Sequence, residues 1–250
     1  MLLLAAILIF AYGICIGSFL NVCIFRIPQQ KDIVKTRSAC MNCGYQLKWY
    51  DLIPLVSYIL LRGKCRKCGT KLSVQYPIIE ALNGVLYLVI CSVKGITVDS
   101  VLCCFLTSAL IVLAVIDFRK YEIPIGINIF IFALGVIRCI GDMNNIIIHL
   151  IGMTAVSIFL LLLQLLTAGT AIGGGDIKLM AAAGLFLGGK DIVLAFVVGC
   201  IAGSIVHLIR MKVEKTGHML AFGPYLAFGI WIAALWGERF WNWYEAICLG

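Results

Sequence analysis

The sequence predicts an all-α polytopic membrane protein of about eight transmembrane helices, with a basic loop domain between the first two. Three observations carry that prediction. Of the 250 residues, 62% are apolar and only 13% charged, whereas a soluble domain carries roughly 45–50% and about 25%. Apolar runs recur along almost the whole chain, so the surplus is not a single anchor. The net charge of +8 is confined to one stretch. Between Arg26 and Tyr76 there are ten Lys and Arg against two acids, Asp32 and Asp51, which accounts for the whole excess.

A span needs about 20 apolar residues. Eight segments qualify or come near: 2–24, 78–93, 101–116, 123–140, 146–166, 177–187, 192–209 and 220–236. The second and third are marginal in length and the sixth is short. Residues 1–25 form a first span that lacks the basic n-region of a removed signal peptide. Residues 26–76 are the loop domain, and residues 77–250 a transmembrane core. A basic loop in a membrane protein stays cytosolic, a better account of the charge than a nucleic-acid site. The amino terminus is then outside and the sides alternate. Arg119, Lys120, Lys178, Arg210, Lys212 and Lys215 fall inside, and Asp117 and Asp176 reach the same cytosolic depth. Trp231, Trp236, Trp241, Trp243 and Tyr244 read as packing and an interfacial belt. His149, His207 and His218 have no metal-like spacing. Ser18 and Asn21 suit hydrogen bonds between helices.

Inside the loop stand Cys40-Met-Asn-Cys43 and Cys65-Arg-Lys-Cys68, separated by 21 residues and each followed by glycine. Two such pairs suit a tetrahedral structural Zn²⁺, with no position left open for water. Disulfides and unpaired thiols are the alternatives; the positive charge favours the reducing side of the membrane. The other eight cysteines lie mostly in apolar runs and read as small buried hydrophobes.

Ionisable groups at the ends of spans are functional hypotheses by default. Asp117 closes the third span before Arg119, Lys120 and Pro124; it is either an interfacial acid paired with those cations or a catalytic group. Asp176 follows Gly173-Gly174-Gly175. It is either a helix N-cap or a catalytic group beside glycines that admit an extended peptide or unusual dihedrals. Two carboxylates sharing a site do not both ionise readily. One then activates water while its protonated partner polarises a carbonyl. Asp176 opens a helix and Asp117 closes one, so the helix dipoles favour Asp117 as the protonated member. The sixth segment is too short to span, so thinned lipid or a wet recess is expected near Asp176.

These residues, in this order, resemble the type IV prepilin peptidases, a branch of the GxGD intramembrane aspartyl proteases. The resemblance covers most of the chain. Gly17-Ser18-Phe19-Leu20-Asn21-Val22 with Arg26 and Pro28 looks like the amino-terminal signature. The four cysteines look like its zinc-binding loop, and the segment from Asp51 to Tyr58 like its inter-cysteine segment. Tyr76-Pro77 with Glu80, Asp117 with Ile123-Pro124, Gly173-Gly174-Gly175-Asp176 with Lys178-Leu179, and Phe222-Gly223-Pro224-Tyr225 complete the series. Met41 replaces a usual proline, and Ile125 stands where an acid or amide is common, which removes a polar neighbour of Asp117.

The resemblance implies a multi-pass protein of the prokaryotic inner or plasma membrane. Asp117 and Asp176 would be its catalytic dyad, with Gly173, Gly174, Gly175 and Lys178 against the substrate. Its substrates would be prepilins and pseudopilins, cut at the cytosolic face behind a short basic leader, and no nucleic acid is involved. N-methylation of the new amino terminus with S-adenosylmethionine would follow, associated with the cytosolic zinc-binding loop domain. Asp51, Gly63 and Glu80 are weak candidates for holding that methyl donor. Asp51 equally caps a turn, Gly63 makes the turn into Cys65, and Glu80 faces Lys71 or Arg26. A peptidase without the methyltransferase activity is the nearer alternative; an ion-coupled transporter with a zinc docking loop, and a non-catalytic scaffold of a pilus assembly, are the rival classes.

Overall fold

A computed structural model describes residues 2–169, 172–214 and 221–248. Eight helices of 14 residues or more follow the eight apolar segments in order. They are α1 (Leu2–Arg26), α3 (Gln75–Lys94), α4 (Val98–Lys120), α5 (Ile125–Gly141), α6 (Ile146–Leu166), α7 (Gly174–Leu187), α8 (Gly189–Glu214) and α9 (Gly223–Cys248). A five-residue helix, α2 (Val56–Leu60), sits in the basic loop. Among the described residues five helices are long and apolar enough to cross a membrane, and Ile125–Gly141 is a shorter apolar one.

The two marginal segments prove longer than their apolar cores. The second begins three residues earlier, at Gln75, and reaches 20 residues. The third runs on through Asp117 to Lys120 and reaches 23. Backbone hydrogen bonding continues into the polar ends, where hydropathy gives no sign of it. The sixth segment is short in fact. At about 1.5 Å per residue the 14 residues of α7 cover roughly 21 Å, against about 30 Å of hydrocarbon. Its end is fixed by Gly188, whose φ of 92° only glycine adopts freely, and α8 starts at the next residue. Lys215 and His218, and the start of the eighth segment at Leu220, lie outside the described residues.

The chain divides into two compact units, Met1–Ile96 and Thr97–Gly250. In the first, α1 packs on α3 through glycine. A Cβ on Gly13 would meet the Gly84 Cα at 2.7 Å, and one on Gly17 the Glu80 Cα at 2.7 Å. Such small-residue contacts let backbones approach in the absence of a hydrophobic drive between helices. Asn83 Nδ2 donates to the Gly13 carbonyl at 2.7 Å, and Asn21 Nδ2 to the Tyr76 carbonyl at 3.2 Å. The expected interhelical role of Asn21 is thus realised. Arg26 turns its guanidinium on the carbonyls of Asp32, Ile33 and Thr36, organising the entry to the loop.

In the second unit α7 is sunk between α5 and α6, and α9 packs on α4 and α8. Gly152 and Gly184 touch backbone to backbone, leaving no room for a side chain on either. The far end of α7 is capped from its neighbours. Arg138 donates to the Phe186 carbonyl at 3.0 Å and pairs with Asp99 at 3.1 Å, and His149 Nδ1 meets the Leu185 carbonyl at 2.9 Å. Two of the carbonyls that a helix leaves unpaired at its C-terminus therefore meet side chains of α5 and α6. Aromatic side chains of α9 pack on one another, Phe240 against Trp241, Trp243 and Tyr244, and Trp231 against Trp236.

Candidate active site and metal-binding cluster

Asp117 occupies the last turn of α4, and the chain behind it turns sharply at Tyr121, which adopts φ 56°. Phe118, Arg119 and Lys120 are exposed while Asp117 is only 5% exposed. Its carboxylate is directed onto the start of α9. The Gly223 N–H donates to Asp117 Oδ2 at 2.8 Å, and a Cβ on Gly223 would stand 2.7 Å from that oxygen. The role of Gly223 follows from this contact: the late glycine-proline motif seats Asp117.

Asp176 lies in the first turn of α7, but it is not the N-cap. Gly173 is, with extended φ −73° and ψ 139°. The Asp176 carboxylate folds back over that cap, which hydrogen-bonds to it, and a Cβ on Gly173 would lie 3.2 Å from Oδ2. None of the three glycines has a positive φ, so unusual dihedrals are not what the run provides. It provides space. A Cβ on Gly175 would meet the Ile123 Cβ at 2.9 Å, so the segment leading into α5 lies directly against the glycines. Asn128 of α5 donates from Nδ2 to the Gly175 carbonyl at 3.4 Å. Its Oδ1 is buried and, among the described residues, has no partner. Asn128 and Gly223 are the two site residues that sequence reading left without a role. Gly173, Gly174 and Lys178 are exposed, and Asp176 is half-buried.

Asp117 and Asp176 are close enough for each charge to act on the other. Asp176 is half-buried and Asp117 buried. The expected asymmetry between them is not supported. Asp117 closes α4, yet it also faces the N-terminus of α9, so both carboxylates stand at helix N-termini and the dipoles no longer tell them apart.

In the first unit the four Sγ atoms of Cys40, Cys43, Cys65 and Cys68 lie within 4.8 Å of one another. Cys40 and Cys68 are 3.8 Å apart and Cys43 and Cys65 3.9 Å. Tetrahedral thiolates at about 2.3 Å from one Zn²⁺ are about 3.8 Å apart; a disulfide is about 2.05 Å. The cluster could hold a metal ion, and all four cysteines are free of disulfides. Two equivalent turns build it. Cys40 N–H bonds the Tyr45 carbonyl and Cys65 N–H the Thr70 carbonyl, both at 2.9 Å, and the following glycines take φ 67° and 71°. The Thr70 hydroxyl and backbone N–H hold the Cys68 thiol down at about 6, and the Cys43 and Asn42 N–H groups lower Cys40.

The three residues named for a methyl donor are each engaged within the loop. Asp51 is buried and joins the two turns: Arg66 Nε reaches Oδ1 at 2.7 Å, and the Tyr45 hydroxyl and Lys48 N–H reach Oδ2 at 3.3 Å. Burial acts to raise the Asp51 carboxyl, but the Arg66 guanidinium and the Lys48 N–H outweigh it and hold it below the usual carboxylate range. Gly63 reverses the chain at φ 66° under the Tyr58 ring. Glu80 faces neither Lys71 nor Arg26; its Oε2 accepts the Leu55 N–H at 2.8 Å, and Ser18 hydrogen-bonds to it as well.

The helices and the cysteine cluster together define a polytopic α-helical membrane protein with two acids at helix ends. Residues 11–94 match the bacterial peptidase A24 N-terminal domain and residues 104–208 match the type IV leader peptidase family. The prepilin leader peptidase/N-methyltransferase of Bacillus subtilis (strain 168) is 31% identical over 97% of this chain and 99% of its own length. That of Neisseria gonorrhoeae is 31% identical over 96% and 93%. That of Myxococcus xanthus (strain DK1622) is 42% identical over 126 residues, which is 50% of this chain and 38% of that protein. No solved structure matches the chain. The chain belongs to the type IV leader peptidase family. The transporter and scaffold readings find no support in these matches.

Proposed function

We propose that this protein removes the leader from type IV prepilins and pseudopilins by an Asp117–Asp176 dyad, and that its first unit N-methylates the new amino terminus. The observation that carries the peptidase reading is the pair itself: two carboxylates within reach of each other's charge, one half-open and one fixed from behind by Gly223. One carboxylate takes a proton from water, which attacks the scissile carbonyl. The other donates a hydrogen bond to the carbonyl oxygen, and a proton passes to the departing amine as the C–N bond breaks. Gly173 and Gly174, exposed beside Asp176, leave a surface on which an extended substrate backbone lies, with Lys178 one turn further along.

Zn²⁺ fits the four cysteines by their sulfur spacing, and its role there is structural, since four thiolates leave no open position. S-adenosylmethionine would supply the methyl group. Asp51, Gly63 and Glu80 stay the candidates for holding it, each also having a structural part in its own unit. In orientation the basic loop and both aspartates belong to the cytosolic side of a prokaryotic inner or plasma membrane, with the amino terminus outside.

The test is incubation of purified protein with a prepilin carrying its leader, followed by mass spectrometry with and without S-adenosylmethionine. Cleavage is expected from the wild type and is lost in Asp117→Asn and in Asp176→Asn, while added methyl donor increases the product by one methyl group. Cleavage by either Asn variant at the wild-type rate would refute the dyad.

A further inference from the structure

The stretch between the cysteine pairs carries an apolar surface that the metal cluster does not use. Trp49, Ile59 and Leu60 are 77%, 71% and 76% exposed, and Leu52, Ile53 and Val56 are exposed beside them. Six large apolar side chains on about a dozen residues of a basic loop form the kind of patch that marks an interaction surface.

The patch is built rather than frayed. A 3₁₀ turn, Trp49–Leu52, leads through Pro54 to Leu55, which adopts φ 59° and ψ −49°, a conformation that side chains strongly disfavour. The α2 helix follows, and the chain reverses again at Arg62 (φ 50°) and Gly63 (φ 66°). The strained elbow is held by the bond from the Leu55 N–H to Glu80 Oε2. Glu80 is itself buried, five residues into α3 from Gln75. At about 1.5 Å per residue this anchor lies roughly 7 Å along a helix that is long and apolar enough to cross a membrane. The apolar face is therefore moored level with the first turns of a span and not out in the aqueous phase. Around it, Lys48, Arg62, Lys64, Lys67 and Lys71 are exposed, while the one acid between the cysteine pairs, Asp51, is buried against Arg66.

We propose that residues 49–60 lie on the membrane surface, with the α2 side chains among the upper acyl chains and the surrounding Lys and Arg on anionic phospholipid headgroups. Apolar face plus basic rim is the combination that binds such a surface. Glu80 is the peg that fixes the depth, and the cysteine cluster is thereby held against the leaflet. The apolar stem of a protein substrate is the other occupant to weigh. A stem newly freed of its leader ends in a cationic amino group, which the basic rim repels, so charge favours lipid. This inference does not depend on the peptidase reading.

The test replaces Ile59 with a photo-crosslinking amino acid in the full-length protein. The protein is reconstituted in vesicles of phosphatidylglycerol and phosphatidylethanolamine, and in vesicles of phosphatidylcholine alone. Lipid adducts are expected in the first, fewer in the second, and fewer again in the first at high salt. Glu80→Ala is expected to lower the adduct yield while the protein stays in the vesicles. Adducts confined to added prepilin, adducts confined to the protein's own chain, or labelling by solvent alone would each overturn the proposal.

Discussion

Replacing Gly223 by alanine removes no charge and no catalytic group, yet it is expected to slow cleavage substantially. Gly223 has no positive φ, so alanine suits its backbone. The conflict is with the added Cβ, which would stand 2.7 Å from Asp117 Oδ2 and 3.1 Å from Cγ. Ordinary contact begins near 3.4 Å, so the carboxylate or the start of α9 must yield by about 0.7 Å (3.4 − 2.7). The 2.8 Å bond from the Gly223 N–H is strained or lost in the same movement. Displacing a reacting group by about 1 Å can cost about 100-fold, so a 10- to 100-fold fall in kcat is expected, about 1.4–2.7 kcal/mol of barrier. The assay is prepilin cleavage followed by mass spectrometry, with thermal unfolding as a check on folding. Gly126→Ala is the control: that glycine also stands in the first turn of a helix, but nothing lies within 4 Å of its added Cβ. A Gly223→Ala variant that cleaves at the wild-type rate would refute the seating of Asp117 on α9.

Three further outcomes follow from the packing and the loop. Gly184→Ala puts a methyl group into the backbone contact with Gly152; it is expected to lose about 1–3 kcal/mol, read as a lowered melting temperature in detergent, with Gly141→Ala unaffected. Metal retention by the four cysteines is expected to fall with acidification. The four sulfurs bind as thiolates, and protons displace metal from thiolates. The ion should therefore stay bound at neutral pH and be released in strong acid, which titration followed by metal analysis reads; retention unchanged in strong acid would contradict it. Asp51→Asn leaves all four ligands in place but weakens the brace between the two cysteine turns. Loss of metal to a chromogenic chelator should then be faster, with affinity down about tenfold, a typical effect of an outer partner.

The course of the chain through eight apolar segments was legible because burial in lipid is written directly in hydropathy. The ends of α3 and α4 were not, since Gln75 and Lys120 are helical through backbone bonding rather than apolar character. Asp117, Asp176 and the four cysteines stood out because acids at span ends and matched CxxC pairs have few bland explanations. The glycine run before Asp176 was legible as a feature but not in its cause: space for Ile123 is a contact between distant segments, invisible to local reading. The same holds for Gly223, 106 residues from the carboxylate it holds. Asn128 gave no signal, as one amide in an apolar helix does not reveal what it faces. The α2 elbow at Leu55 was hidden because its left-handed backbone is imposed by Glu80 from another helix.

A helix of 14 residues leaves a membrane protein with a problem of leakage. Water must reach the Asp176 end for hydrolysis, and a spanning path wet at one end and short of the far side invites ions to follow. Phe186 is fully enclosed, and Arg138 and His149 close over the last carbonyls of α7. Under the proposed function, that cap would serve as a seal, letting a hydrolytic site be cut into the bilayer from one side while the electrochemical gradient across it is kept.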